Sequence, residues 1–358
     1  MAADNGITQV PRIMELASRL EADIARRNLK PGDPYLTLVE AAKMLKVSTA
    51  AANRALQLLA QRKLLHRVQR KGSVIGALTR QASPGQLRRV FMFVYRAYLQ
   101  QEGALADRIL VGIQSELTGV DVQFNFLPQI DPTDFVNALI GDILRLKEPA
   151  GIVMTKAPFS VQRIVEASGL PAVVHGSLYP SIRRLAWIDQ DNQQLARLMA
   201  DYMNRKGCTH VCALTREVIF PGDNFILAEL GRLLGAAGMK ADAFEIAHLP
   251  DDLQAMETEI ATLITRHPEG LGLLCRSEMK AQAALAAIAR MRLKPRKQPV
   301  LLVSGLYRRQ PESKIPFLYP RFEPEEMGAA IGRLLAKQAL QPDSAPDHIK
   351  IPVDLTEP

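Results

Sequence analysis

The chain is poor in cysteine, in long apolar runs and in catalytic signatures, and each shortage closes off a class of protein. Its 3 cysteines are Cys208, Cys212 and Cys275. A small, odd number is not a disulfide framework and points to a reducing compartment, the cytoplasm. No apolar run reaches the roughly 18 residues a membrane span needs, and no early segment has the charged start and small-residue end of a signal peptide. No Gly-x-Ser-x-Gly, phosphate loop or HExxH occurs, and the 6 histidines are scattered. Cys208, His210 and Cys212 alternate along an expected strand, which would put three metal ligands on one face. No fourth ligand accompanies them, and buried strand cysteines are ordinary core. Neither a metal nor a cofactor is expected. There is no internal repeat and no low-complexity segment.

What is present is a length of 358 residues, enough for two or three folding units, and 47% hydrophobic residues, enough for a core. Charge is unevenly placed. Residues 1–89 hold 16 Lys and Arg against 6 Asp and Glu, a net of +10, while 90–358 hold 29 against 31, a net of −2. A basic head on a near-neutral body points to a polyanionic partner for the head; a solvated basic face is the plainer reading of the charge alone.

The head's pattern favours DNA. Residues 10–28 read as a helix with Ile13, Leu16, Ala17, Leu20 and Ile24 on its apolar stripe and Arg12, Arg19, Arg26 and Arg27 off it. Leu38, Ala41, Ala42 and Leu45 recur at helical spacing, so 38–45 is a short amphipathic helix. Ser48 can cap a second helix over 49–61, whose buried face is Ala52, Ala55, Leu56 and Leu59. Residues 64–67 and 73–76 read as short strands joined by a basic turn, Gln69-Arg70-Lys71-Gly72. Two helices, a turn and a basic hairpin make a winged helix-turn-helix, in which a helix fits the major groove and cationic loops meet phosphate.

This stretch resembles the GntR-type DNA-binding domain over roughly residues 8–76. The matching pieces are Leu29-Lys30-Pro31-Gly32-Asp33, Val47-Ser48, Ala55-Leu56, Leu64-Leu65 and Gly72-Ser73-Val74-Ile75. Where that family often carries arginine, Val39, Thr49 and Asn53 stand here. The candidate DNA-contacting residues are Thr37, Ser48, Thr49, Ala50, Asn53, Arg54, Arg67, Arg70, Lys71 and Gly72.

After a linker at 77–88, marked by Ser83-Pro84-Gly85, the periodicity changes. Strands are expected at 90–95, 120–127, 151–154, 172–175 and 185–188, separated by helices at 104–117, 133–146 and 160–167. The pattern then restarts, with helices at 192–206, 224–237, 253–266 and 279–291 and strands at 210–214, 244–249, 271–275 and 300–304. Alternating strands and long helices mean a parallel sheet covered on both faces. Two such halves make a two-lobed body over 89–358.

The body resembles the effector domain of LacI-type repressors, which shares its fold with periplasmic binding proteins. The resemblance rests on Trp187-Ile188-Asp189-Gln190-Asp191-Asn192 before a helix, on Tyr319-Pro320-Arg321-Phe322-Glu323-Pro324-Glu325-Glu326-Met327-Gly328, and on Ile351-Pro352-Val353. It implies three crossings between lobes, placed near Ile188, Phe322 and Gln341. Lobe 1 is then about 89–188 with 323–341, and lobe 2 about 189–322 with 342–358. It also implies a ligand cleft at the carboxyl ends of strands. Candidate effector-binding residues are Tyr95, Arg96, His175, Asp189, Arg216, Asn224, Arg276, Glu278, Tyr307 and Phe322.

The expected fold is α/β, an N-terminal winged helix-turn-helix (1–76) plus a two-lobed parallel periplasmic-binding-protein-like domain. A GntR-like head on a LacI-like body implies a cytoplasmic, homodimeric transcription regulator, a repressor, that binds double-stranded operator DNA and a small polar metabolite, a sugar or sugar derivative. Two alternatives stay open at this point: a small-molecule binding or sensing protein without operator recognition, and an enzyme with an aminotransferase-like body.

Overall fold

The computed structural model describes residues 9–27, 29–30, 32–61, 64–68, 72–75, 87–95, 106–146, 148–305 and 315–357. The head contains helices α1 (Gln9–Arg26), α2 (Leu38–Leu45) and α3 (Thr49–Gln61) and strands β1 (Pro34–Tyr35), β2 (Leu65–Val68) and β3 (Gly72–Ile75). The strands form a small antiparallel sheet in the order β1-β3-β2. Leu16, Leu20, Leu45, Leu56, Leu59 and Leu65 meet in its core. The helix starts follow from local chemistry. Thr37 and Glu40 form a capping box at α2, and the Ser48 hydroxyl accepts from the Ala51 amide at 3.3 Å to open α3. Arg26 and Arg27, which have the pattern of surface charges, both pair with Asp23, buried beneath them. The Tyr35 hydroxyl donates to the same carboxylate at 3.1 Å, and its own pKa is pushed up by burial and that negative neighbour.

The body holds two six-stranded sheets. The first runs β14-β8-β7-β6-β4-β5, the second β10-β9-β11-β12-β13-β15. The first is built from β4 (Arg89–Tyr95), β5 (Asp121–Leu127), β6 (Ala150–Thr155), β7 (Ala172–His175), β8 (Ala186–Gln190) and β14 (His348–Ile351). Its helices are α4 (Ala106–Glu116) and α11 (Pro324–Leu340) on one face and α5 (Thr133–Arg145) and α6 (Phe159–Ser168) on the other. The second sheet contains β9 (His210–Arg216), β10 (Phe244–Leu249), β11 (Leu271–Cys275), β12 (Val300–Ser304), β13 (Phe317–Pro320) and β15 (Val353–Thr356). It lies between α7 (Asn192–Arg205) with α8 (Pro221–Ala236) and α9 (Leu253–Arg266) with α10 (Glu278–Arg290). Every residue of β6, β7 and β11 is buried, as parallel strands covered on both faces require.

The strand pairing corrects one expectation. The third crossing does not fall near Gln341. Gln341 ends α11 on the first sheet, and β14 then pairs in parallel with β8, still in the first lobe. Only after Pro352 does the chain enter the second lobe, where β15 pairs antiparallel with β13. Proline donates no ladder bond and suits the step between two sheets. The first crossing follows Gln190, the last residue of β8, and Asp191 caps α7 through the Gln193 and Gln194 amides. The α4–α11 crossing is so close that a Cβ on Gly328 would lie 2.0 Å from the Ile109 carbonyl oxygen. Arg108 with Glu323 and Glu325, and Arg333 with Glu116, fasten its ends.

Candidate DNA-binding surface and effector cleft

Thr49, Ala50 and Arg54 are exposed on one face of α3, with Asn53 half-buried beside them. Thr37 and Ser48 are caps, so their hydroxyls already serve the helix starts. Gly72 opens β3 at φ 92°, a conformation glycine adopts freely, close against Thr37. Arg67 lies on β2; its side chain, with Arg70 and Lys71, falls outside the described residues. Val39, where arginine is frequent in the resembled family, is 69% exposed on α2.

In the body, the parallel strands deliver polar side chains from their carboxyl ends into the space between the lobes. From the first lobe come Lys156, His175 and Asp189, all buried. The Asp189 carboxylate accepts from the Ser177 hydroxyl at 2.7 Å and from the Asn192 amide at 3.0 Å, and the Lys156 ammonium lies 3.6 Å away. Lys156 has φ 49°, a left-handed backbone that costs a non-glycine residue energy and marks a locally constrained position. His175 is held neutral: burial, then the Lys156 charge, push its pKa down to about 4.

From the second lobe come Arg216 and Arg276, which share one buried carboxylate. Asp223 lies 2.9 Å from the Arg276 Nη2 and 3.3 Å from the Arg216 Nη2, and it also accepts from the Phe220 amide at 3.2 Å. Burial works to raise its pKa, but the two guanidinium groups outweigh it and hold the carboxyl well below the usual range. Arg276 also donates to the Ser304 hydroxyl at 2.7 Å. The Nε of Arg276, the Thr215 hydroxyl and the Asn192 amide oxygen are buried without a hydrogen-bond partner.

The lobes meet at Gly222, in the first turn of α8. A Cβ there would come within 3.2 Å of the Asn192, Ser177 and Asp189 side chains, tighter than an ordinary contact, so glycine suits this close approach of the helix end to the first lobe. The Tyr95 and Phe220 rings are 6.4 Å apart across the junction, and the Arg216 guanidinium lies over the Phe220 ring. Beside the polar cluster a groove of about 720 Å³ is lined from both lobes, by Tyr179, Trp187 and Lys350 on one side and Asn192, Asn224 and Phe225 on the other.

The structure therefore gathers Tyr95, His175, Asp189, Arg216 and Arg276 at the junction and places Asn224 in the adjoining groove. Glu278 is half-buried in the first turn of α10, and Phe322 packs against the first-lobe core. Arg96 and Tyr307 lie outside the described residues. Lys156, Ser177, Asn192 and Asp223 also belong to the cluster, and none of them is among the residues expected there from the sequence. Cys208 and Cys212 face opposite sides of the second sheet, in different core clusters, so they do not converge with His210. Among the described residues no group of three or more His, Cys, Asp or Glu could hold a metal ion.

Residues 12–75 match the family of bacterial regulatory proteins, gntR family. The head is a GntR-family domain. No curated protein matches the chain in sequence. The chain is similar in fold to a LacI transcriptional regulator from Bacillus cereus subsp. cytotoxis, at 13% identity and TM-score 0.60, covering 75% of this chain and 97% of that one. It is similar to the transcriptional regulator CelR in complex with cellobiose, at 15% identity and TM-score 0.61, covering 87% and 90%. A solute-binding protein from Burkholderia graminis in complex with D-arabinose matches at 18% identity and TM-score 0.61, covering 77% and 97%. At these identities the likeness is one of fold. Behind the GntR-family head stands a two-lobed α/β body of the type found in LacI regulators and solute-binding proteins. No helix among the described residues is long and apolar enough to cross a membrane.

Proposed function

We propose that this protein is a cytoplasmic transcription regulator, a homodimeric repressor, whose affinity for operator DNA is set by a small polar metabolite, a sugar or sugar derivative, held between the lobes. The observation that carries the reading is the union in one chain of a GntR-family head, with Thr49, Asn53 and Arg54 facing outward on α3, and a body whose two lobes converge on a buried polar cluster. The cluster is split between lobes: Asp189 and Lys156 belong to the first lobe, Arg216, Arg276 and Asp223 to the second. A ligand touching both sides favours one lobe angle over another. In a dimer that angle sets the spacing of the two heads, and half-sites about one helical turn apart make affinity sensitive to spacing.

The solute-binding alternative shares the body fold, and the head separates the two readings. Selection of bound fragments from a genomic DNA library tests this directly. The reading expects a recovered near-palindromic site bound with a Kd about 10³-fold or more below that for random DNA. Recovery of no site, with equal affinity for all fragments, refutes it. The dimer is checked by sedimentation at micromolar concentration, where the reading expects a particle of twice the chain mass.

A further inference from the structure

We propose that the metabolite in this cleft is an anion, a small molecule whose phosphate or carboxylate group is taken up by Arg276 and Arg216 opposite Lys156. The inference rests on the reading that the cleft holds the effector, and adds its chemical class.

The first support is the balance of buried charge. Among the described residues at the lobe junction, Lys156, Arg216 and Arg276 are buried against two carboxylates, Asp189 and Asp223, while His175 is neutral. Cations held away from water are stabilised by each negative group that joins them. Neutral hydroxyl groups do not supply that charge.

The second support is geometric and independent of the count. Arg276 is 8% exposed, and its guanidinium has three directions of donation. Nη1 is used by Ser304 at 2.7 Å and Nη2 by Asp223 at 2.9 Å, while the buried Nε has no partner. The edge formed by Nε and Nη2 is the one that carboxylates and phosphates grip with two parallel bonds. Here that edge is half used. Asp223 sits where a ligand oxygen would sit, as an internal anion that keeps the two arginines company. A ligand anion would complete the Nε side and draw Lys156 from the opposite lobe, which ties the two lobes together. The groove of about 720 Å³ leads to Asn192, whose buried amide oxygen also lacks a partner and can accept a ligand hydroxyl.

The test uses the full chain and inorganic phosphate as a probe free of any choice of scaffold, followed by isothermal titration with ribose 5-phosphate, glucose 6-phosphate and gluconate against ribose and glucose. Phosphate at millimolar concentration should raise the melting temperature. Asp223→Asn removes the competing negative charge and should bind phosphate about tenfold more tightly than the native chain. Arg276→Gln should weaken binding of the anionic ligands about 100-fold. Where Arg276→Gln fails to fold, Lys156→Gln is the substitute and should weaken it in the same direction. Absence of any phosphate effect in both the native chain and Asp223→Asn overturns the proposal. So does a neutral sugar that binds more tightly than its phosphorylated form and is indifferent to Arg276→Gln. If that neutral sugar also changes DNA affinity, the anion assignment falls and the regulator reading stands. Phosphate-ester binding that leaves DNA affinity unmoved supports the anion assignment and refutes the regulator reading.

Discussion

Replacing Asp223 by asparagine keeps the size of the side chain and removes its charge, which makes it a sharp probe of the buried cluster. The native carboxylate, 3% exposed, is within 2.9 Å of Arg276 and 3.3 Å of Arg216. Asparagine leaves two buried guanidinium groups without a counter-charge. Removing one member of a buried ion pair costs about 3–5 kcal/mol. For a unit of 150–250 residues each kcal/mol moves the melting temperature by about 2–4 °C, so the expected drop is about 6–20 °C. Thermal unfolding followed by circular dichroism at pH 7 measures it. The pH dependence carries a second signature. The Asp223 carboxyl titrates lower in the folded chain than in the unfolded one, so its stabilisation is complete above the ordinary carboxylate value and is lost as pH falls toward the depressed folded value. The gap between native and variant should therefore be full at pH 7 and narrow below pH about 4. A cost under about 1 kcal/mol, the range of an exposed pair, would refute the picture of a dry, mutually dependent cluster.

Three further outcomes are expected of the same structure. Asn53→Ala should weaken operator binding by about 1–3 kcal/mol and binding to random DNA far less, read by fluorescence anisotropy; equal losses would make Asn53 a backbone contact only. Replacing Arg70 and Lys71 together with alanine should weaken all DNA alike and flatten the slope of log affinity against log salt by about 0.9 for each phosphate no longer neutralised; an unchanged slope would exclude the wing from phosphate binding. Gly328→Ala should destabilise the first lobe by about 1–3 kcal/mol in denaturant titration, because its Cβ would meet the Ile109 carbonyl at 2.0 Å and α4 and α11 must part; a neutral result would deny that this crossing is tight.

The sequence is most readable where one residue type does one local job. Ser48 marks a helix start, and α2, α3, β7, β9 to β12 and α9 lie where periodicity puts them, within a residue or two of their ends. It is least readable where a residue's role is set by a partner far along the chain. Arg26 and Arg27 have the pattern of solvated helix charges, yet they pair with Asp23, a buried carboxylate that also accepts from the hydroxyl of Tyr35, 12 residues further on. Lys156 escapes notice because the apolar run before it stops at Met154; with β6 running to Thr155, the same strand-end rule that finds His175 and Arg216 reaches Lys156. Asp223 escapes because the apolar period of its helix starts only at Asn224, although Pro221 is a strong first-turn signal. The misplaced third crossing has a similar origin: β14 is four residues with alternating polar exposure, and nothing local tells which of two sheets such an edge strand joins. What no sequence pattern shows is the Gly222 contact, which exists only when the lobes face each other.

Energetic coupling between the head and the cleft is the central claim, and reciprocal linkage tests it most directly. The Kd for the selected DNA site is measured with and without saturating ligand, the ligand being whichever of the phosphorylated, acidic and neutral sugars most raises the melting temperature. The Kd for that ligand is then measured with and without DNA. Coupling predicts a change of about 5–150-fold in DNA affinity and the same factor, in the same direction, in ligand affinity. DNA affinity that is identical with the cleft empty and filled would contradict it.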